Sequence, residues 1–376
     1  MFGENRFFMA KKLTGMVVIA LMLLGLTLFS VGCNHINDYS DGDAPFYFDE
    51  QYLFLKVGET ADLNIREIFK HSGININKYS LRSSSEWVAS VKNETVTALR
   101  AGNQSIGFIG HTTIHATLYD SSTKKKHNVL VAQVFVINES EMTAVSSAED
   151  LIAIKEDLGG WYVLKANIDL DGAEWQGLGT FTGMLVNSGE FVISNLSGTT
   201  GLFAANEGYI SGIILENVSI NKTSDDEFIQ LGTIASINTK GATIANCSVK
   251  GVIKSSGVTG GIVGYNTSSI INCSFDGMVT SQSNRTADEI LESENFYDVA
   301  GGIVGINSGI VVHSTAKGQI SSMLIAGGVV GIHFTAMSDG RVVNCDFDFV
   351  QELPNRIVAP IWGRTIGWEQ TLVNRV

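Results

Sequence analysis

The chain has 376 residues, 38 of them acidic against 25 basic, which gives a net charge of −13, with 40 glycines and three prolines. A balance this acidic, with no basic patch interleaved with aromatics, excludes nucleic acid and an anionic lipid surface as partners. The length exceeds one typical domain, and abundant glycine with so little proline suits strands and turns better than helices.

Residues 1–32 read as a targeting segment. Arg6, Lys11 and Lys12 precede an almost wholly apolar run from Leu13 to Val31, and Ser30-Val31-Gly32-Cys33 resembles a lipobox, with Ser30 where such boxes carry leucine. The resemblance implies cleavage before Cys33 and a lipid on that cysteine, so that the membrane is a partner through the N-terminal lipid. The alternative is an uncleaved transmembrane helix, because the run approaches the ~20 residues that span a bilayer. Either reading places the rest of the chain outside the cytoplasmic membrane. Removing Glu4, Arg6, Lys11 and Lys12 with the segment leaves 37 acidic against 22 basic residues, a net charge of −15. Residues 33–45 are polar and acidic and read as a tether. The spacing of Asp38, Asp41 and Asp43 does not reproduce a calcium-loop pattern.

Residues 46–138 form a unit of short strands. Tyr52 to Leu63 alternates and turns at Gly58, and Trp87 to Val91, Val96 to Leu99 and Ser105 to Ile109 follow as further strands, a pattern that predicts a β-sandwich. The order of Val57-Gly58-Glu59-Thr60, Ser83 to Val91, Val96 to Gly102 and Asn103 to Ile106 is similar to the group 2 bacterial immunoglobulin-like domain. Trp87 stands where that family has a small polar residue, which makes it a candidate contact residue; packing against its own sandwich is the bland reading.

Residues 139–376 carry a repeat. A helix is predicted over Ser146 to Leu158, with Ser146 and Glu149 as a capping box and Leu151, Ile152, Ile154 and Leu158 as an apolar face that caps a first coil. Aligning the repeat on a polar residue gives the column Asn195, Asn217, Asn246, Asn272, His313 and Asn344 at irregular spacing. Apolar residues stand two before it (Ile193, Leu215, Ile244, Ile270, Val311, Val342). One after it come Leu196, Val218, Cys247, Cys273, Ser314 and Cys345. An upstream arm supplies Leu202, Ile234, Ile262, Ile303 and Val329, then the small residues Ala204, Ser236, Gly264, Gly305 and Gly331, then a second polar ladder, Asn206, Asn238, Asn266, Asn307 and His333. Two short strands per copy, turns between them and no helical period predict a right-handed parallel β-helix with one coil per copy. The fold class expected is therefore all-β, an immunoglobulin-like sandwich followed by a parallel β-helix.

Asn221, Lys250, Asp276, Lys317 and Asp348 are expected to stack as an outward column, alternating in charge from Lys250 onward, which reads as a solvated salt-bridge ladder worth little per pair and not as a binding site. The three cysteines of the repeat read as a stack of small apolar thiols, although Cys247 and Cys273 fall in adjacent coils and are near enough to bridge. Residues 354–376, with Ile361, Trp362, Ile366 and Trp368, are expected to cover the far end.

The motif from Gly261-Ile262-Val263-Gly264-Tyr265-Asn266 through Ile271-Asn272-Cys273-Ser274-Phe275-Asp276-Gly277 resembles the GLUG repeat of bacterial surface proteins. Gly301 to Gly318 follows the same pattern with His313-Ser314 in place of Asn-Cys. The resemblance spans about Ser146 to Phe349. It implies a β-solenoid associated with adhesion and brings no catalytic residues with it.

One insertion, Ser281 to Val299, interrupts the repeat. It is acidic and helix-capable, and Asp288, Glu289, Glu292, Phe296 and Tyr297 are its candidate binding residues, since loops on a rigid scaffold are where binding resides; a solvated excursion is the bland reading. No catalytic constellation emerges. His111 and His115 have the spacing of a zincin but lack its glutamate and lie in a strand-like run. No G-x-S-x-G elbow or P-loop occurs, Asp225, Asp226 and Glu227 cluster in a turn, and Asp346 with Asp348 faces outward. The function expected on this reading is non-catalytic adhesion or recognition at the cell surface, with no cofactor and with a cell-surface glycan or extracellular protein as partner. A β-helix polysaccharide lyase or hydrolase, and a structural stalk, are the alternatives.

Overall fold

The computed structural model describes residues 51–69, 76–104, 110–120, 124–187, 189–224, 228–239, 241–285, 298–334, 341–351, 358–359 and 362–365. The targeting segment, Cys33, the tether, the Ser105 to Ile109 strand and the cluster at 225–227 lie outside these residues. So do the candidate residues of the insertion and most of the C-terminal tail. The chain divides between Thr143 and Ala144 into two compact units.

The first unit consists of two sheets. A four-stranded sheet runs Gln51–Lys56, Lys126–Ile137, His111–Asp120, Ile76–Ser83, the first pair parallel and the others antiparallel. A three-stranded antiparallel sheet runs Thr60–Asp62, Thr95–Ala98, Ala89–Lys92. Strand alternation turns Ile114, Ala116 and Leu118 to one face, where they share a core with Val96 and Ala98 of the other sheet, with Val88 of the turn before it and with Ile65 and Ile68 of a short helix, Ile65–Ile68. The predicted turn at Gly58 is present, with φ +88°, but it carries the chain from one sheet to the other, so the strands on its two sides do not pair as a hairpin.

The second unit is a parallel β-solenoid with four strands per coil. A representative coil contains Val258–Gly260, Val263–Asn266, Ser269–Ile271 and Ser274–Ser281, and each strand pairs in parallel with its counterpart one coil on. Two strands per copy were expected; the other two are only three residues long, too short to display a period of two. The column Leu202, Ile234, Ile262, Ile303 and Val329 is wholly buried and joins one continuous core with Phe181, Phe203 and Phe275. Full burial of a side chain like Phe275 is worth about 2–3 kcal/mol.

At the N-terminal end the helix is shorter than expected, Ala148–Ala153 with a 3-10 turn, Ile154–Glu156. Its cap lies one residue on from the predicted box: Ser147 accepts from the Asp150 N–H, and the Asp150 carboxylate accepts from the Ser146 N–H at 2.9 Å. Leu151 and Ile154 join the solenoid core, whereas Ile152 is exposed. At the other end, Val358–Ala359 and Trp362–Thr365 add strands to two of the sheets, so these pieces of the tail continue the coil.

The second polar ladder is continuous and buried. The Nδ2 of Asn206 donates to Oδ1 of Asn238 at 2.9 Å, Asn238 to Asn266 at 2.8 Å, and Asn266 to Asn307 at 2.7 Å; Asn307 meets Nδ1 of His333 at 3.1 Å. Asn206, Asn266 and Asn307 also accept from, and donate to, the backbone two residues on. These carboxamides are thereby satisfied without water.

The first polar column is in fact two. All six residues have positive φ, which is why they align by sequence. However, Ala245 pairs with Ser211, so the coil partner of Asn246 is Gly212, with φ +76°, and not Asn217. Asn195 and Asn217 belong to the long-strand sheet, where Asn217 is the extra residue of a bulge between Leu215 and Val218. Asn217 donates to Asn195 at 2.9 Å and Asn195 to the Asp169 carboxylate at 2.7 Å, which holds that carboxyl below its ordinary range, helped by the Asp171 N–H. Asn272 donates separately to Asn246 at 2.7 Å.

The residue after each left-handed corner has a consistent task. Cys247, Cys273 and Cys345 direct their thiols to the carbonyls of Ala245, Ile271 and Val343 at 3.2, 3.4 and 3.3 Å, and the Ser314 hydroxyl donates to Val312 at 3.0 Å. Cysteine and serine therefore interchange in this column because each donates across the corner. All three cysteines are free thiols.

Candidate functional site

The long-strand sheet of the solenoid, Ile214–Lys222, Ser248–Ser255, Ser274–Ser281, Thr315–Ser322 and Asp346–Gln351, presents the most regular outer face. Alternate residues of each strand (Val249 and Ile253, Phe275 and Val279, Ala316 and Ile320) enter the core. Their neighbours point outward in rows one residue deep per coil. One row is charged. Lys250, Asp276, Lys317 and Asp348 are in register, as expected, but the head of the row is Glu216, because the bulge moves Asn221 opposite Lys254. The Lys250 ammonium lies 2.9 Å from Glu216; that hydrogen bond, then the Glu216 charge, raises its pKa, with Asp276 adding to the effect. Beside this row stand Val252 and Met278, 43% and 37% exposed, in register with Gln319. An exposed pair such as Lys250 with Glu216 contributes little to stability.

In the first unit, Trp87 is 53% exposed and the Arg100 guanidinium lies 5.0 Å from its ring centroid. One face of the indole is thus engaged by a cation. Leu99 and Arg100 both donate their N–H to the Val88 carbonyl, which places them against this turn, and Leu99 is also exposed. His111 and His115 sit on one strand four residues apart, roughly 13 Å at the rise of a strand, beyond the reach of one metal ion. His111 contacts Gln133 at 3.2 Å and Phe135, and its burial lowers its pKa; His115 meets Thr113 at 3.1 Å. Among the described residues no group of three or more His, Cys, Asp and Glu side chains is placed to hold a metal. No helix among them is long and apolar enough to cross a membrane. Asp346 and Asp348 are exposed, and Asp348 continues the charged row.

Residues 111–251 match the family described as the M26 IgA1-specific metallo-endopeptidase N-terminal region, and residues 255–280 match the GLUG motif. A solved structure of an IgA1 protease is similar at 15% identity and a TM-score of 0.39; the alignment covers 79% of this chain and 28% of that one, so the chain spans under a third of that protein's length. No curated protein matches.

The family match over residues 111–251 overturns the expectation of a non-catalytic adhesion or recognition protein, and with it the exclusion of enzyme function. The family matched over residues 111–251 is part of a metallo-endopeptidase. The error has a physical source: the GLUG columns describe how coils stack, and a scaffold does not specify the chemistry it serves. The match begins at His111, on a sandwich strand whose residues present no catalytic pattern.

Proposed function

We propose that the chain serves proteolysis of an extracellular protein, as the solenoid-bearing region that holds the substrate polypeptide for a metallo-endopeptidase. The match of residues 111–251 to the N-terminal-region family carries this reading. The outer rows of the long-strand sheet, with Glu216, Lys250, Asp276 and Lys317 beside Val252 and Met278, are the surface proposed to hold it. Trp87, and Asp288, Glu289, Glu292, Phe296 and Tyr297 of the insertion, are proposed as further contacts.

The two-sheet unit is proposed to be an immunoglobulin-like spacer, and Cys33 the lipidated end of an extracytoplasmic protein. The apolar run before Cys33 and the acidic tether after it support that placement. Mass spectrometry of the N-terminal peptide tests it: a diacylglyceryl group on Cys33 is expected, and an N-terminus that retains residues 1–32 would sink it.

The functional reading is tested with cells that make the chain and the same cells lacking it, incubated with IgA1 and other immunoglobulins with and without a metal chelator. Heavy-chain fragments that need both the chain and the metal are expected. Equal cleavage by the two strains, or none by either, overturns the proposal.

A further inference from the structure

Cys247 and Cys273 occupy the same position in successive coils, between the register pairs Ala245 with Ile271 and Ser248 with Ser274. Both are about 1% exposed, and each thiol faces a backbone carbonyl of its own corner, Ala245 for Cys247 and Ile271 for Cys273. Register neighbours in a parallel sheet lie about 4.8 Å apart, inside the Cα separation that a disulfide spans. The next coil carries Ser314 in this position and Cys345 follows one coil later. Cys345 is thus two coils from Cys273, roughly 9.6 Å, which is too far to bridge. An odd set of three thiols therefore contains one competent pair.

We propose that Cys247 and Cys273 are a disulfide site that clips the GLUG coil to the coil before it. The two thiols give up two protons and two electrons and gain one S–S bond; the electrons reduce a disulfide-bearing oxidant, such as oxidised glutathione or a thiol oxidoreductase, to two thiols. The bond forms while the coils are still open. Once they close, no oxidant reaches the pair, and burial keeps Cys247 protonated, with the neighbouring thiol adding to the effect. The relevance of the site in the cell rests on the extracytoplasmic placement proposed above.

The test is to unfold and reduce the mature chain, refold it in a glutathione redox buffer, alkylate it under denaturing conditions and map its peptides without reduction. A linked Cys247–Cys273 peptide with Cys345 alkylated is expected. Separate alkylation of Cys247 and Cys273, or a link from either to Cys345, overturns the site. The folded, reduced chain given the same buffer should remain unlinked for as long as refolding takes to complete the bond; equal rates would overturn the order of events. In the Cys247→Ser variant Cys273 should be fully alkylated. A bond that forms on refolding but is absent from protein alkylated at cell lysis would sink the extracytoplasmic placement and leave the site standing.

Discussion

The solenoid repeats a polar residue every coil in two places, and the two columns differ in kind. Inside, Asn206 to Asn307 exchange amide hydrogen bonds out of contact with water. Outside, Glu216 to Asp348 alternate in charge, half-exposed at Glu216 and exposed from Lys250 onward. An unmade hydrogen bond costs the whole desolvation of the group when buried, and almost nothing when water stands ready to replace the partner. The inner column therefore specifies how coils stack, and the outer one is free to be used by partners.

The largest effect should come from the close backbone approach within the long-strand sheet, beside the outer column. A Cβ at Gly277 would lie 1.8 Å from the Gly251 carbonyl oxygen, and at Gly318 2.1 Å from that of Gly277. Gly277→Ala is expected to cost about 3 kcal/mol or more in urea denaturation. Gly172→Ala, where φ is +64° but the space is open, should cost about 1–2 kcal/mol. Equal losses at the two would refute close approach as the cause.

Next comes the ladder itself. Asn266→Leu removes the acceptor of Asn238 and the donor to Asn307, and a loss of about 2–3 kcal/mol is expected. A loss no larger than that of an outward substitution would erase the distinction between the columns.

The corner thiols sharpen it through pH. Burial raises Cys345 to about 12 and Cys247 well above its ordinary value. The folded state therefore keeps protons that the unfolded chain releases above pH ~8.5. In the reduced protein this contribution is complete below that pH and is lost as pH rises toward 12. Denaturation midpoints should fall across that window, and a midpoint flat from pH 8 to 11 would contradict it.

The smallest effect belongs to the outer row. Lys250→Gln should leave the denaturation midpoint unchanged within error, at low and at high salt. A clear loss would mean the row stabilises the fold and is not free for binding.

The inner ladder was readable because its residues keep fixed offsets from an apolar and a small column. The corner column was not, because an asparagine at a bulge and one at a corner both adopt left-handed backbone. Asn195 and Asn217 thus aligned with Asn246 and Asn272 although Gly212 is the true neighbour. The same bulge hid Glu216 as head of the charged row. Cysteine and serine at the corners looked like apolar fillers, since a donor to a carbonyl two residues back leaves no periodic trace. The candidate surface was the least legible part, because outward residues answer to partners and not to packing.

The ladders have a direction, and each ends on a different residue. The inner one hands its N–H groups toward the C-terminus and stops at the His333 ring nitrogen; the Asn217 to Asn195 ladder hands them toward the N-terminus and stops at the Asp169 carboxylate. A carboxamide both gives and receives, so it passes the chain of bonds on, whereas these two residues end the run of asparagines, and the sheet itself continues one coil past His333 to Thr365. The solenoid is therefore extensible from within: a coil carrying asparagine can be gained or lost between terminators without orphaning a buried amide.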